Sequence, residues 1–332
     1  MKFVLRRQFL VAGLGFVASF AAIGPLIAQT NVALPRVTII LSGTMATERL
    51  TVETYREALR KLGYVEGRNL ILDFREAGGR LERLPKLVED LLRADPKVIV
   101  VSGSQAMKAA KAATSTIPIV AQTIGEPVEQ GYAASLARPG GNVTGNALIQ
   151  EVSDEKTVEI VSTLLPRASR VALLTNSSNP ISDGVKKRFQ SSASKLGLSA
   201  VFLDAPNADE LPKALGRLPS LRADALIVSN DALFFSNRAA ILEHVARTRM
   251  PAIYGSDSYM ADGGLLSYSY SRVQMIRNAA GFVDRILKGA KPGDLPFEQP
   301  TIFELVINLK TAKALGLKIP QSLLLRADRV IE

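Results

Sequence analysis

The sequence predicts an α/β protein made of two duplicated, doubly wound parallel-sheet lobes, and three observations predict it. Short β-branched runs alternate with segments of helical period, the pattern of parallel strands joined by crossover helices. Each run is almost entirely apolar, as expected of a strand covered on both faces. The second half then repeats the punctuation of the first half in the same order.

The chain opens on a leader. Lys2, Arg6 and Arg7 precede an uncharged apolar stretch from Phe9 to Ile23, and Pro25 breaks any helix before Leu26-Ile27-Ala28. This predicts a secretory signal peptide over 1–28, cleaved after Ala28, and a mature protein in the periplasm. The stretch is shorter than the ~20 residues that span a bilayer, so removal rather than anchoring is expected. Arg6-Arg7-Gln8-Phe9-Leu10 resembles the twin-arginine export signal, which points to that route across the inner membrane. Gly13-Leu14-Gly15-Phe16-Val17-Ala18 fits a dinucleotide fingerprint in spelling only, because no strand precedes it and no acidic partner follows.

Strands are expected at Arg36 to Ser42, Asn69 to Arg75, Val98 to Ser102 and Ile119 to Gln122. Leu81, Leu84, Leu87, Val88, Leu91 and Leu92 fall on one face of a helix between the second and third strands. The series restarts at Arg170. Arg36-Val37 and Arg170-Val171 each open a strand, and each is followed, 27 positions after the Arg, by a Gly that closes a helix, in Lys61-Leu62-Gly63 and Lys195-Leu196-Gly197. Leu84-Pro85-Lys86 and Arg93-Ala94-Asp95 are answered by Leu211-Pro212-Lys213 and Arg222-Ala223-Asp224, and Ile117-Pro118-Ile119 by Met250-Pro251-Ala252. These four matches at offsets of 127 to 134 residues predict an internal duplication.

Composition removes several classes of function. With 0 Cys in 332 residues there is no disulfide framework, thiolate metal site or cysteine nucleophile, and the single His, His244, leaves no His-rich metal centre. No metal and no cofactor is expected. The net charge of +10 is scattered, with no basic run and no interleaved aromatic residues, so a solvated surface is expected rather than a nucleic-acid interface.

In open parallel sheets a ligand sits beyond the carboxyl ends of the strands, and two such ends facing each other form a cleft that a hinge can close. In the first lobe the strand ends carry Ser42-Gly43-Thr44 and Ser102-Gly103-Ser104-Gln105, with Thr123 after the fourth strand. Small hydroxyl residues at a helix start leave amides directed at an anion, here a ligand carboxylate. In the second lobe the matching turns offer Asn176 and Asn179, Asp231, Tyr254 and Asp257. Asp231 or Asp257 is placed to meet a ligand ammonium and Tyr254 to stack on an apolar part.

Ala137-Arg138-Pro139-Gly140-Gly141-Asn142-Val143-Thr144-Gly145, together with the stretch from Phe303 to Leu317 and Ile319-Pro320, resembles the ABC-transporter substrate-binding proteins of the tryptophan/aromatic amino-acid type. The resemblance spans essentially the whole mature chain. Where the family usually carries Gly-Asp-Pro-Val, this chain has Gly125-Glu126-Pro127-Val128. The resemblance implies a type I periplasmic binding fold with a three-segment hinge, and capture of a small solute for a permease of the inner membrane. The lobes are then expected at 36–145 plus 268–297 and at 146–267 plus 298–332, with crossings near Gly145, Leu265 to Tyr268 and Pro296 to Pro300.

A periplasmic, monomeric, non-enzymatic binder of a carboxylate-bearing solute is therefore expected, with an aromatic or other amino acid as the leading ligand. The alternative is a hydrolytic or ligand-sensing protein on the same fold. Hydrolysis would need a base beside a nucleophile, and His244 lies in a helix among Ile241, Leu242 and Val245. A DNA-reading regulator would need a headpiece before Arg36, where the chain offers about eight residues after the leader.

Overall fold

The computed structural model describes residues 33–148 and 150–332, with backbone alone for 150–153. The predicted leader, its twin-arginine string and the glycine decoy lie outside the described residues. The first lobe is built from β1 (Arg36–Leu41), α1 (Arg49–Lys61), β2 (Ile71–Glu76), α2 (Leu84–Leu92), β3 (Val98–Ser102), α3 (Ser104–Ala113), β4 (Ile119–Gly125) and β5 (Val143–Leu148). Its sheet is parallel throughout, in the order β2-β1-β3-β4-β5.

The chain then enters the second lobe through α4 (Gln150–Leu164), β6 (Arg170–Thr175), α5 (Ser182–Lys195), β7 (Ser199–Asp204), α6 (Leu211–Gly216), β8 (Ala225–Val228), α7 (Ala232–Ser236), α8 (Arg238–Thr248), β9 (Ala252–Tyr254), α9 (Ser258–Ala261) and β10 (Leu266–Tyr270). Its strands run β7-β6-β8-β9-β10, the order of the first sheet over again. The copy extends to single hydrogen bonds. Ala77 N donates to Leu41 O and Ala205 N to Thr175 O, both at 2.9 Å, while Lys97 N donates to Arg36 O and Asp224 N to Arg170 O, both at 2.8 Å. The prolines placed before the fourth strands behave alike too, each carbonyl accepting at 2.9 Å, from Ile99 N and Leu226 N respectively.

Three further elements depart from a plain duplication. After β10 the helix α10 (Arg272–Leu287) returns to the first lobe, where Ile276, Ala279, Phe282 and Val283 join the core of Val37, Ile39, Tyr55 and Val100. The chain then runs beside β5, with Glu298 N donating to Gly145 O and Ala147 N to Glu298 O. It crosses a third time into β11 (Phe303–Asn308), followed by α11 (Leu309–Leu315), α12 (Gln321–Leu324) and β12 (Arg329–Ile331). β11 pairs antiparallel with β10, and β12 adds a parallel edge, so the second sheet has seven strands.

The two sequence stretches that carried the family resemblance serve this weave. Gly140 N donates to Gly293 O and Thr144 Oγ1 to Leu295 O at 2.8 Å, which pins the returning segment. Asn142 donates to the carbonyls of Thr114 and Ile117 and accepts from Lys111 Nζ, tying the α3–β4 turn to β5. At the C-terminal end Asn308 caps α11 through Thr311 N at 3.1 Å, and Gly316 closes it in the left-handed region with φ 73°.

Candidate functional site

One continuous cavity runs between the lobes and on into the second. Its interlobe part is lined from the first lobe by Ser42, Glu48, Ser102, Ser104, Thr123 and Arg272, and from the second by Asn179, Asn230, Asp231 and Tyr270. Its inner part is a recess within the second lobe, walled by Leu173 and Ile227 from the sheet, Val185 and Phe189 from α5, and Tyr268 and Phe303. Leu148, Asn179, Ile181, Asp231 and Tyr270 line both parts, so the two are contiguous.

The interlobe part is charged with both signs. Glu48 stands before α1 and folds back on the β1 turn, accepting from Gly43 N at 2.6 Å and Ser42 Oγ at 3.3 Å. Burial raises its carboxyl pKa, against the pull of the Gly43 amide and of the Arg272 charge. Arg272 opens α10, lies with its guanidinium 4.9 Å from the centre of the Phe235 ring, and leaves a buried Nε without a protein partner. Ser102 Oγ and Thr123 Oγ1 are 3.1 Å apart, and Ser104 accepts from Gln130 at 3.3 Å. No side chain caps α3, whose first residue is Ser104, so its amide end is open toward the cavity.

Asp231 is the most deeply held carboxylate of the site. Its oxygens accept from Asn176 Nδ2 at 3.1 Å, Asn179 Nδ2 at 2.7 Å and Leu233 N at 2.8 Å, the last capping α7. Burial raises its pKa, only partly offset by the hydrogen bonds from Asn179 and Asn176. The capping role and the cavity position therefore coexist in one residue.

Of the residues expected at the site, Ser42, Ser102, Ser104, Thr123, Asn176, Asn179 and Asp231 line the cavity. Four do not. Thr44 pairs with Thr47, its amide donating to Thr47 Oγ1 at 2.9 Å in a local turn. Gln105, one residue round the helix from Ser104, lines an outer groove between α2, α3 and the loop at Pro206, with its side chain close enough to Asp231 to favour that carboxylate's ionised form. Tyr254 is buried within β9 and stacks on Tyr259 at 4.3 Å, leaving Gly255 and Ser256 at the cavity. Asp257 stands one step further on, at the start of α9. Glu48, Arg272, Tyr270 and the whole recess went unforeseen. Glu48 reads as an ordinary residue before a helix, and Arg272 arrives by a crossing that the duplicated turns do not mark.

The lobes meet on both sides of this cavity. Arg80 pairs with Asp209 through two contacts of 3.2 Å, Arg238 Nη2 donates to Thr47 O at 3.2 Å, and Asn237 Nδ2 reaches Gly79 O at 3.4 Å. Near the first crossing, Arg188 of α5 bonds Glu126 of the other lobe and, at 3.1 Å, Asp154 of α4. Glu126, the departure noted in the sequence, thus makes an interlobe ion pair, and it holds a positive φ of 51°.

Two α/β lobes around a mixed polar and apolar cavity define the type I periplasmic binding fold. The chain belongs to the ABC transporter substrate binding protein family, whose model matches residues 36–331. A tyrosine-binding protein of Clostridioides difficile (strain R20291) is 27% identical over 262 residues, 79% of this chain and 75% of that one. The structure of an ABC domain in complex with L-Trp from Streptococcus pneumoniae superposes with a TM-score of 0.82 at 24% identity, covering 90% of this chain and 100% of that one. A ligand-free, open substrate-binding protein with adhesive properties from Clostridium difficile gives 0.61 at 21% identity, covering 90% and 99%. The family is one of substrate-binding proteins, generally extracytoplasmic and typically non-enzymatic. Among the described residues no helix is long and apolar enough to cross a membrane, and no group of three or more His, Asp or Glu could hold a metal ion.

Proposed function

We propose that the protein captures an aromatic L-amino acid between its lobes and delivers it, unchanged, to a permease of the inner membrane. The observation that carries this is the two-part cavity: a polar region at the lobe interface, charged with both signs, opening into an apolar recess edged by Phe189, Phe303 and Tyr268. In this reading the ligand carboxylate meets the open end of α3 and Arg272, and its ammonium meets Asp231 and Glu48. Burial makes both carboxylates costly to ionise alone, and a bound ammonium offsets that cost. The ring enters the recess, where its apolar area leaves water. The relatives that bind tyrosine and L-Trp support the same ligand class.

The lobes, taken as 36–148 with 271–298 and 150–270 with 303–332, would close about the three crossings. The protein would work as a monomer in the periplasm after loss of the leader, with twin-arginine export as the route. Two measurements test the central claim. Thermal unfolding with each of the twenty amino acids at millimolar concentration is expected to show stabilisation by tyrosine or tryptophan, since a ligand of the native state raises the melting point by mass action. Stabilisation by none of the aromatic amino acids would overturn the reading. Mass spectrometry of the recovered ligand is expected to return it chemically intact.

A further inference from the structure

The recess holds one feature that an apolar slot does not need. Its apolar walls are Leu173, Ile227, Val185, Phe189, Tyr268 and Phe303, and Tyr268 and Phe303 stack with ring centres 5.5 Å apart. Into this lining α4 sends two polar side chains spaced i, i+3 and therefore on one helix face, Asp154 and Thr157. The Asp154 side chain is only 22% exposed, and one of its oxygens accepts from Arg188 Nε at 3.1 Å. A carboxylate placed beside aromatic and aliphatic side chains loses hydration, and only part of that loss is returned by the single guanidinium contact. Consistently, burial pushes the Asp154 carboxyl up to about 6, against the pull of Arg188.

Building on the aromatic amino-acid reading, we propose that Asp154 is the specificity-determining residue of the recess, accepting a hydrogen bond from a donor on the ligand's ring. The ligand class then narrows to aromatic amino acids whose ring carries an O–H or N–H, a phenol or an indole, against the bare phenyl ring. The physical reason is asymmetric. A phenyl ring in the recess takes the water from a buried acceptor and gives nothing in return, whereas a phenol or indole satisfies it. Arg188 acts as a positioning residue, fixing the Asp154 carboxylate from α5 while its other contact reaches Glu126 across the lobe interface.

The experiment is calorimetric titration of wild type, Asp154→Leu, Asp154→Asn and Arg188→Ala with tyrosine, tryptophan and phenylalanine, each variant first checked for cooperative unfolding. Wild type is expected to bind tyrosine or tryptophan at least about 10-fold more tightly than phenylalanine. Asp154→Leu should abolish that ratio, weakening the donor-bearing ligands while leaving phenylalanine unchanged or improved. Asp154→Asn keeps an acceptor oxygen and should retain most of the ratio, which covers the case in which the leucine variant fails to fold. Arg188→Ala should weaken all three ligands by loosening the lobes and should also lower the donor-to-phenyl ratio, because the Asp154 carboxylate loses the contact that fixes it. A phenylalanine-to-tyrosine ratio unaltered in Asp154→Leu, or already close to one in wild type, overturns the proposal while leaving the aromatic reading intact. Failure of all three ligands to bind wild type overturns that reading and this proposal with it.

Discussion

At Gly145 two strands approach so closely that no side chain fits. A Cβ there would lie 2.6 Å from the Ala121 nitrogen, and its φ of 134° is one that other residues rarely adopt. Gly145→Ala is therefore expected to cost roughly 3 kcal/mol, read as a drop of several degrees in the thermal midpoint. The sequence displayed this glycine within the motif that carried the family resemblance, though as a crossing point rather than as a close approach. The same unevenness holds across the site. Ser42, Ser102, Ser104 and Asp231 were legible because strand-end turns have a fixed place in a doubly wound sheet. Tyr254 misled, since position in sequence names a strand end but not which way its last side chain turns; here it turns inward onto Tyr259.

Among elements, α4 contributes a titration that reaches stability. The Asp154 carboxyl is raised to about 6 chiefly by burial, whereas an unfolded chain returns it to the ordinary carboxylate value near ~3.9. Between those limits the native state holds the extra proton. The stabilisation from this group is complete below the unfolded value and is lost as the pH rises through about 6. Asp154→Asn should thus show a smaller fall in urea midpoint between about pH 4 and 6 than wild type does; parallel curves for the two proteins would contradict this. Element by element, the sequence reading placed the first four of the first lobe's five strands within three residues at each end, as β4 shows by continuing past Gln122 to Gly125, and read none at β5. It read no strand at β11, which runs antiparallel to β10 and has no counterpart in the first half. A rule drawn from repetition is blind to what is not repeated.

For the molecule as a whole, affinity contains the equilibrium between open and closed lobes, so contacts remote from the ligand can tune it. Arg80–Asp209 is an exposed pair, side chains 41% and 71% accessible, and its loss through Arg80→Ala should change affinity less than two-fold. Arg188→Ala removes a more enclosed pair of contacts, with 22% of the Arg188 side chain exposed, and should weaken binding about 3- to 10-fold. Small-angle scattering is expected to show a larger radius of gyration for the Arg188 variant and compaction of either protein at saturating ligand. The duplication itself, repeated in the matching carbonyl partners on β1 and β6, was the most readable property of the sequence, because it depends on chain order alone.

The placement of α10 also governs when this fold can be finished. Phe282, Val283 and Ile276 fill the core of a lobe whose first strand begins at Arg36, so the opening β–α units remain without one wall until the polymer has been made almost to its end. A nascent chain halted anywhere before residue 272 presents an uncovered sheet, and neither half of the gene encodes a piece able to close on itself. Truncation from the carboxyl side past β11 therefore strips the amino-terminal lobe of α10 while all five of its own strands are still encoded.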